Sequence, residues 1–326
     1  MVRYAIQRLL VAIPTLLVIS VIVFWATRQI ASPEGQLTLN PRVSAEDKQR
    51  FIEDLGLDRS DAAQYFTWLG NFARGELGTT LATNRQVWDD VLKDPFVNTL
   101  VLVVYAVTFS LLIGISIGII SAVKQNSPID FATTGLAFVG ISIPVFVVGL
   151  LLQLLFGVWL ADWLGVARPM LPIFGLNDPG TEGFYFWGRW RHLMLPAMAL
   201  AVQLVAVYSR YMRASMLEVL NSDYIRTARS KGLRESDVLT KHAARTALIP
   251  LTTQAAIDIG VLVGGLIVTE VIFQYPGMGR VFIDAIQTGD YQVILPWVMI
   301  TATAVILLNL AADLLYGWLD PRIRYA

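Results

Sequence analysis

Six long apolar runs divide this 326-residue sequence, and they limit its fold more than any other feature. A helix of about 20 apolar residues crosses the hydrocarbon core of a bilayer. The first run, 9–26, is about 18 residues long, near the minimum for a span. It follows Arg3 and Arg8, and basic residues before an apolar core are also the pattern of a signal peptide. The core is long for that, and no clear small-x-small site closes it. A retained span with its N-terminus inside is the expectation. Five further runs lie near 99–122, 131–160, 193–211, 249–273 and 293–318. The predicted fold class is an all-α polytopic membrane protein with six transmembrane helices. Both termini then fall on the cytoplasmic side.

Composition supports this. Hydrophobic residues make up 55% of the chain, and the mean hydropathy is +0.58. Charged residues are 15%, against about 25% in an average soluble domain. The formal net charge of zero conceals strong segregation along the chain. With no Cys, disulfides, thiol catalysis and thiolate metal sites are excluded. With two His, so is a His-rich metal site. No cofactor and no nucleic-acid partner is expected; the lipid bilayer is.

The expected organisation is an N-terminal span in 1–30, a polar extracytoplasmic loop in 31–98, and a core with five spans in 99–326. The loop reads as helical. Ser44 can cap a helix that Gly56 stops, a second runs near 61–74 before Gly75, and a third near 85–93 before Pro95. Tyr65, Phe66, Trp68, Leu69 and Phe72 give the second helix an apolar face. Packing against its neighbours is the plain reading, and docking of an external partner the sharper one.

Little enzyme chemistry is available. Gly114-Ile-Ser116-Ile-Gly118 matches the G-x-S-x-G nucleophile pattern, but that motif needs a strand-turn-helix elbow and a nearby His. Here it lies inside an apolar run. Gly114 and Gly118, like Gly260 and Gly264, have the G-x-x-x-G spacing that lets membrane helices approach closely. No G-x-x-x-x-G-K-[ST] occurs, so the chain has no P-loop with which to hydrolyse ATP. It is read as a transport protein rather than an enzyme.

Acids within spans are costly, which makes each a functional candidate. Asp258 and Glu270 lie 12 residues apart in the fifth run, about 18 Å along a helix. Asp258 is the candidate for lining a polar path; burial against another helix is the alternative. Glu270 is expected near the outer edge, anchoring the next turn, and Asp313 in a contact among helices. Pro144 should kink the third span, and Ser142 beside it is the second path candidate.

The most cationic stretch lies between the fourth and fifth runs. Arg210, Arg213, Arg226, Arg229, Lys231, Arg234, Lys241 and Arg245 face only Glu218, Asp223, Glu235 and Asp237. Such a short basic loop belongs on the cytoplasmic side. Asp223 can cap a short helix to Ser230, and Gly232 suits the left-handed residue that ends it. A second helix then runs from Glu235 to Ala247, with Pro250 starting the next span. Binding to anionic lipid would want a broader apolar face than Tyr224, Ile225, Ala228 and Leu233 provide. A hinged element docked by a protein fits better.

This loop, about 214–248, resembles the EAA loop of ABC importer permeases, the element that docks into the ATPase subunit. Tyr224-Ile-Arg-Thr-Ala-Arg-Ser-Lys-Gly232, followed by Arg245-Thr-Ala-Leu-Ile-Pro250, is similar to the oligopeptide/dipeptide (and nickel) permease family. Arg226-Thr227-Ala228 stands where the general pattern has Glu-Ala-Ala, and the proline lies farther from the glycine, as in the peptide-permease branch. Arg8-Leu-Leu, Ile13-Pro-Thr-Leu, Leu55-Gly-Leu-Asp58, Gly75-Glu-Leu-Gly78, Pro276-Gly-Met-Gly279 and Leu319-Asp-Pro-Arg-Ile-Arg324 extend the resemblance over nearly the whole chain.

The resemblance implies a type I ABC importer permease fold in a bacterial or archaeal cytoplasmic membrane. The long first outer loop points to the B-type subunit, paired with a C-type permease, two ABC ATPases and an extracytoplasmic solute-binding protein. Tyr224, Arg226, Thr227, Ala228, Arg229, Lys231 and Gly232 would form the ATPase-docking surface. Peptides are the implied cargo, with nickel chelates or oligosaccharides as alternatives in the same class. A self-sufficient secondary transporter, with protons or ions on Asp258 and Glu270, is the rival from another class.

Overall fold

A computed structural model describes residues 2–30, 58–81, 83–166, 169–177 and 186–319. The expected cap at Ser44, the stop at Gly56 and the basic tail beyond Leu319 lie outside the described residues. In chain order the α-helices are α1 (Val2–Ile30), α2 (Asp61–Ala73), α3 (Lys93–Val123), α4 (Pro128–Ser142), α5 (Val145–Leu154), α6 (Leu160–Leu164) and α7 (Phe186–Leu220). They continue as α8 (Asp223–Ser230), α9 (Glu235–Asp237), α10 (Ala244–Gly265), α11 (Ile267–Ile272), α12 (Met278–Thr288) and α13 (Tyr291–Leu319). π-helical turns at Val87–Leu92, Leu155–Trp159 and Val238–Ala243 lead directly into α3, α6 and α10.

Among the described residues, six helical stretches are long and apolar enough to cross a membrane: Ile6–Gln29, Val87–Val123, Val145–Leu164, Arg189–Leu220, Glu235–Gly265 and Tyr291–Leu314. They follow the expected runs, with one division. The third run is broken rather than merely kinked. Ile143 leaves the helix with ψ 124°, as a residue before proline does, and Pro144 begins the next segment. Its freed carbonyl accepts a hydrogen bond from Gln203 Nε2 at 2.9 Å, so the break is satisfied within the protein. Two expected helix boundaries, the stop before Pro95 and the start at Pro250, were also passed. Pro95 sits in the first turn of α3, where its missing N–H is tolerated, and Pro250 lies inside α10 without ending it.

The chain divides into two compact units. One holds Thr99–Pro276 and the stretch from Leu307; the other holds residues 2–98 and 277–306. In the first, α7 is the centre, with α4, α5 and α10 packed on it. In its most apolar window 61% of residues are buried, against 17–39% for the other spans. Small residues set how closely its neighbours come. A Cβ on Gly114 would stand 2.8 Å from Tyr208 Cβ, and one on Gly118 would stand 2.5 Å from Met212 Cβ. Gly260 is buried and Gly264 half-buried on α10.

In the second unit, α2 turns Tyr65 and Trp68 toward Phe24 of α1, with ring centroids 5.4 and 6.0 Å away. Ser20 Oγ and Tyr65 Oη are 2.8 Å apart, and Arg28 pairs with Asp61. Most of the expected apolar face of α2 is thus a packing face, while Phe66 remains exposed. A further cluster gathers Val87, Leu92, Met278, Ala285, Val293, Ile294 and Trp297. The Trp297 Nε1 donates to the Met278 carbonyl at 2.7 Å. The loop at Thr79–Gln86 is fixed to this cluster by Asp290, whose Oδ2 accepts from Leu81 N at 3.0 Å. Burial pushes the Asp290 carboxyl up, against the lowering effect of the Leu81, Val293 and Gln292 amides.

Candidate functional site

The basic loop folds as a hairpin of helices. Ser222, not Asp223, takes the N-cap position of α8 and leaves Asp223 in the first turn, where a carboxylate favours the helix dipole. Ile225 and Ala228 share one face at i, i+3, and both are buried where α8 meets the π turn Val238–Ala243. Ala228 is therefore withdrawn from the surface on which it was expected. Tyr224, Arg226, Thr227, Arg229, Lys231 and Gly232 are exposed. The loop presents a cationic face with one aromatic residue.

Gly232 has φ +75°, and its N–H donates to the Arg229 carbonyl at 2.9 Å. A left-handed residue here reverses the chain between α8 and α9, and glycine adopts it without the Cβ penalty. Arg229 then spans the turn. Its Nη2 donates to Glu235 Oε1 at 2.7 Å and its Nε to Oε2 at 3.2 Å. Such a two-point guanidinium–carboxylate contact fixes orientation as well as proximity. Lys241 and Asp237 pair at 2.7 Å on the second arm.

The second arm is continuous with a membrane span. Helical backbone runs from Glu235 through the π turn and Pro250 to Gly265. It ends at a break: Leu266, with ψ 6°, separates α10 from α11. Beyond the break, Gln153 Nε2 of α5 caps two carbonyls, Ile272 at 3.0 Å and Ile173 at 3.1 Å. Glu270 is fully buried, receives a hydrogen bond from Thr99 Oγ1 at 2.6 Å, and its carbonyl accepts from Tyr275 N at 2.8 Å. It anchors the turn that follows.

Asp258 lies between these ends. Its Oδ1 accepts from Gln254 Nε2 at 2.9 Å, one turn earlier on α10. Across the contact with α7, the buried Tyr208 is near enough to interact with this carboxylate. Neither Tyr208 Oη nor Asp258 Oδ2 has a hydrogen bond of standard geometry. Ser142 is exposed at the end of α4 and donates to the Phe138 carbonyl at 2.8 Å. Ser116 is bonded to Leu112 O within helix α3, so no nucleophile elbow forms around it.

One further constellation had no counterpart in the sequence reading. Arg213 of α7 binds Asp130, at the start of α4, by two hydrogen bonds, and Ser121 of α3 donates to the same carboxylate. The residues are 83 positions apart, so no local spacing reveals them; a basic and an acidic residue at the ends of apolar runs is the only hint.

Comparison with known proteins gives these features a setting. Residues 114–325 match the profile described as "Binding-protein-dependent transport system inner membrane component", and residues 1–103 match that of its N-terminal region. The chain is 38% identical over 325 residues to the oligopeptide transport system permease protein AppB of Bacillus subtilis (strain 168), with 100% of both chains covered. It is 38% identical over 343 residues to the dipeptide transport system permease protein DppB of Alkalihalophilus pseudofirmus, again with 100% of both covered. Identity to the glutathione transport system permease protein GsiC of Escherichia coli (strain K12) is 35% over 325 residues, with 100% of both chains covered.

Among solved structures, inward-facing MetNI methionine ABC transporter aligns with TM-score 0.54 at 17% identity. The match covers 71% of this chain and 96% of that one, and it supports the fold alone. A permease of this kind is a transport subunit working with another permease, ATPases and a binding protein in the inner membrane. With both profiles matched and relatives aligned end to end, the chain belongs to the binding-protein-dependent transport system inner membrane component family, the multi-pass permeases of ABC importers.

Proposed function

We propose that this chain is the B-type permease of a peptide importer and forms half of the path for di- or oligopeptides. The observation that carries the cargo is the end-to-end similarity to permeases named for oligopeptides, dipeptides and glutathione, all of them peptides. In this reading a C-type permease supplies the other half of the path. Two ABC ATPases drive it, and an extracytoplasmic binding protein delivers the cargo. Both termini and the loop at 214–248 face the cytoplasm, and 31–98 faces outward.

The ATPase grips the exposed face of α8 and the turn, through Tyr224, Arg226, Thr227, Arg229, Lys231 and Gly232. Asp258 and Ser142 contribute to the path. Gly114, Gly118, Gly260 and Gly264 keep its walls closely packed. ATP-driven closure of the ATPases displaces the hairpin, and α10 carries that displacement into the membrane. The cationic, hinged hairpin supports this coupling role because it is continuous with a span.

The test is ligand identification from the binding protein that stimulates ATP hydrolysis by the assembled complex, followed by uptake of that ligand into vesicles. Peptide recovery with ATP-dependent uptake is the expected result. Recovery of a sugar or metal chelate overturns the cargo, and uptake that survives removal of the ATPases overturns the importer mechanism.

A further inference from the structure

We infer that Tyr208, Gln254 and Asp258 form an intramembrane subsite that receives the protonated amine of a passing peptide. The inference rests on the peptide-importer reading above and adds where, and by what chemistry, the permease itself contacts its cargo.

The position is the first argument. Asp258 lies nine residues into the apolar run 249–273, about 14 Å along the helix and near the middle of a bilayer core. A carboxylate there is costly unless it is paired or faces a polar cavity. Among the described residues no Lys, Arg or His forms an ion pair with Asp258. The groups that hold it, the Gln254 amide on Oδ1 and the Tyr208 hydroxyl, are both neutral and orient the carboxylate without neutralising it.

What remains uncompensated at this place is charge. The Tyr208 hydroxyl faces the Asp258 carboxylate as a neutral donor, and Tyr208 Oη and Asp258 Oδ2 are both buried with no other partner. Tyr208 is 0% exposed, and its ring lies beside the carboxylate. They offer one full negative charge and one hydroxyl oxygen. An ammonium group, with three donors and no acceptor, can satisfy both at once. A carboxylate would be repelled by Asp258. A hard divalent cation would want about six oxygen ligands, well beyond what this pair provides.

The third argument is rigidity and access. Tyr208 stands at the close α3–α7 contact, where a Cβ on Gly114 would come within 2.8 Å of its Cβ. Gln254 holds the carboxylate from the other side. Asp258 itself is only half-buried, and Ile257 and Val261 beside it on α10 are exposed.

The experiment uses the complete importer in proteoliposomes, with a short alanine peptide and its N-acetylated form, each at a concentration that fully loads the binding protein. Wild type should take up the free-amine peptide at least about tenfold faster, the scale set by an unpaired buried charge. D258N should remove that preference and D258E should retain it. Y208F, which keeps the carboxylate and the fold of the ring, should weaken the preference a few-fold. ATPase pull-down confirms assembly of each variant. Equal loss for both cargos in D258N, or no loss for either, overturns the subsite and leaves the importer reading intact. Wild-type complex that takes up neither peptide removes the peptide reading, and the subsite with it.

Discussion

Arg213 grips Asp130 through two parallel hydrogen bonds, Nε to Oδ1 at 2.6 Å and Nη2 to Oδ2 at 2.8 Å. Ser121 adds a third to Oδ1 at 2.5 Å, so one carboxylate joins α3, α4 and α7. The planar guanidinium is what permits the two-point contact. R213K should keep the charge but lose the fork, lowering the melting temperature of the detergent-solubilised protein by several degrees. R213A should lower it further, because the carboxylate is left buried without its partner. Unchanged melting in both variants would show that the junction is held by packing alone.

Gly118 is the tightest approach of α3 to α7. A single methyl added there meets Met212 Cβ at 2.5 Å, with the Ser209 carbonyl at 2.8 Å. G118A should cost about 1–3 kcal/mol through overpacking. G135A is the control, since a Cβ at Gly135 has nothing within 4 Å. Thermal unfolding of the pair should show a loss for G118A only. An equal loss in both would assign the effect to general intolerance of these spans.

Gly232 should tolerate alanine poorly and proline not at all. At φ +75° an L-residue costs about 1–2 kcal/mol, and proline is locked near the opposite sign. G232P should still insert, because neither span depends on the turn, yet lose most ATP-dependent uptake. Pull-down of the ATPase combined with vesicle uptake reads both. Normal uptake by G232P would remove the coupling role given to the hairpin.

Asp290 provides a pH test. Burial raises its carboxyl, so the native state favours the neutral form, and its contribution to stability is fully present only below the unfolded value of about 3.9. That contribution is lost as pH rises through the folded value. D290N cannot ionise, and its side-chain oxygen can still accept from Leu81 N. Its melting temperature relative to wild type should therefore rise between pH 4.5 and 7.5. A relative melting temperature that falls over this range would contradict the assignment.

Much of this architecture was legible because the bilayer imposes a length on apolar runs, and all six spans follow from that. The hairpin was legible too, since Gly232 marks a backbone state that few other residues adopt. The prolines were harder. Pro144 ends a helix, but Pro95 and Pro250 do not, and the difference lies in tertiary context: Gln203 satisfies a freed carbonyl at the first. Ala228 was placed on the docking face by pattern, whereas its spacing from Ile225 turns it inward. Asp258 stood out as a costly acid, yet Tyr208 gave no signal beside it. Contacts between residues 50 or 83 positions apart leave no local trace in one sequence.

The run of helix from Glu235 to Gly265 has a mechanical consequence. It holds 31 residues and is about 46 Å long, more than the thickness of the hydrocarbon core. In the proposed coupling a push on the hairpin travels along this helix, and the π turn at Val238–Ala243 and Pro250 are the places where it can bend. On that route it passes Asp258 before it reaches Leu266, where the helix is interrupted. The proposed stroke thus links an acid within the span and the joint at Leu266 in one motion.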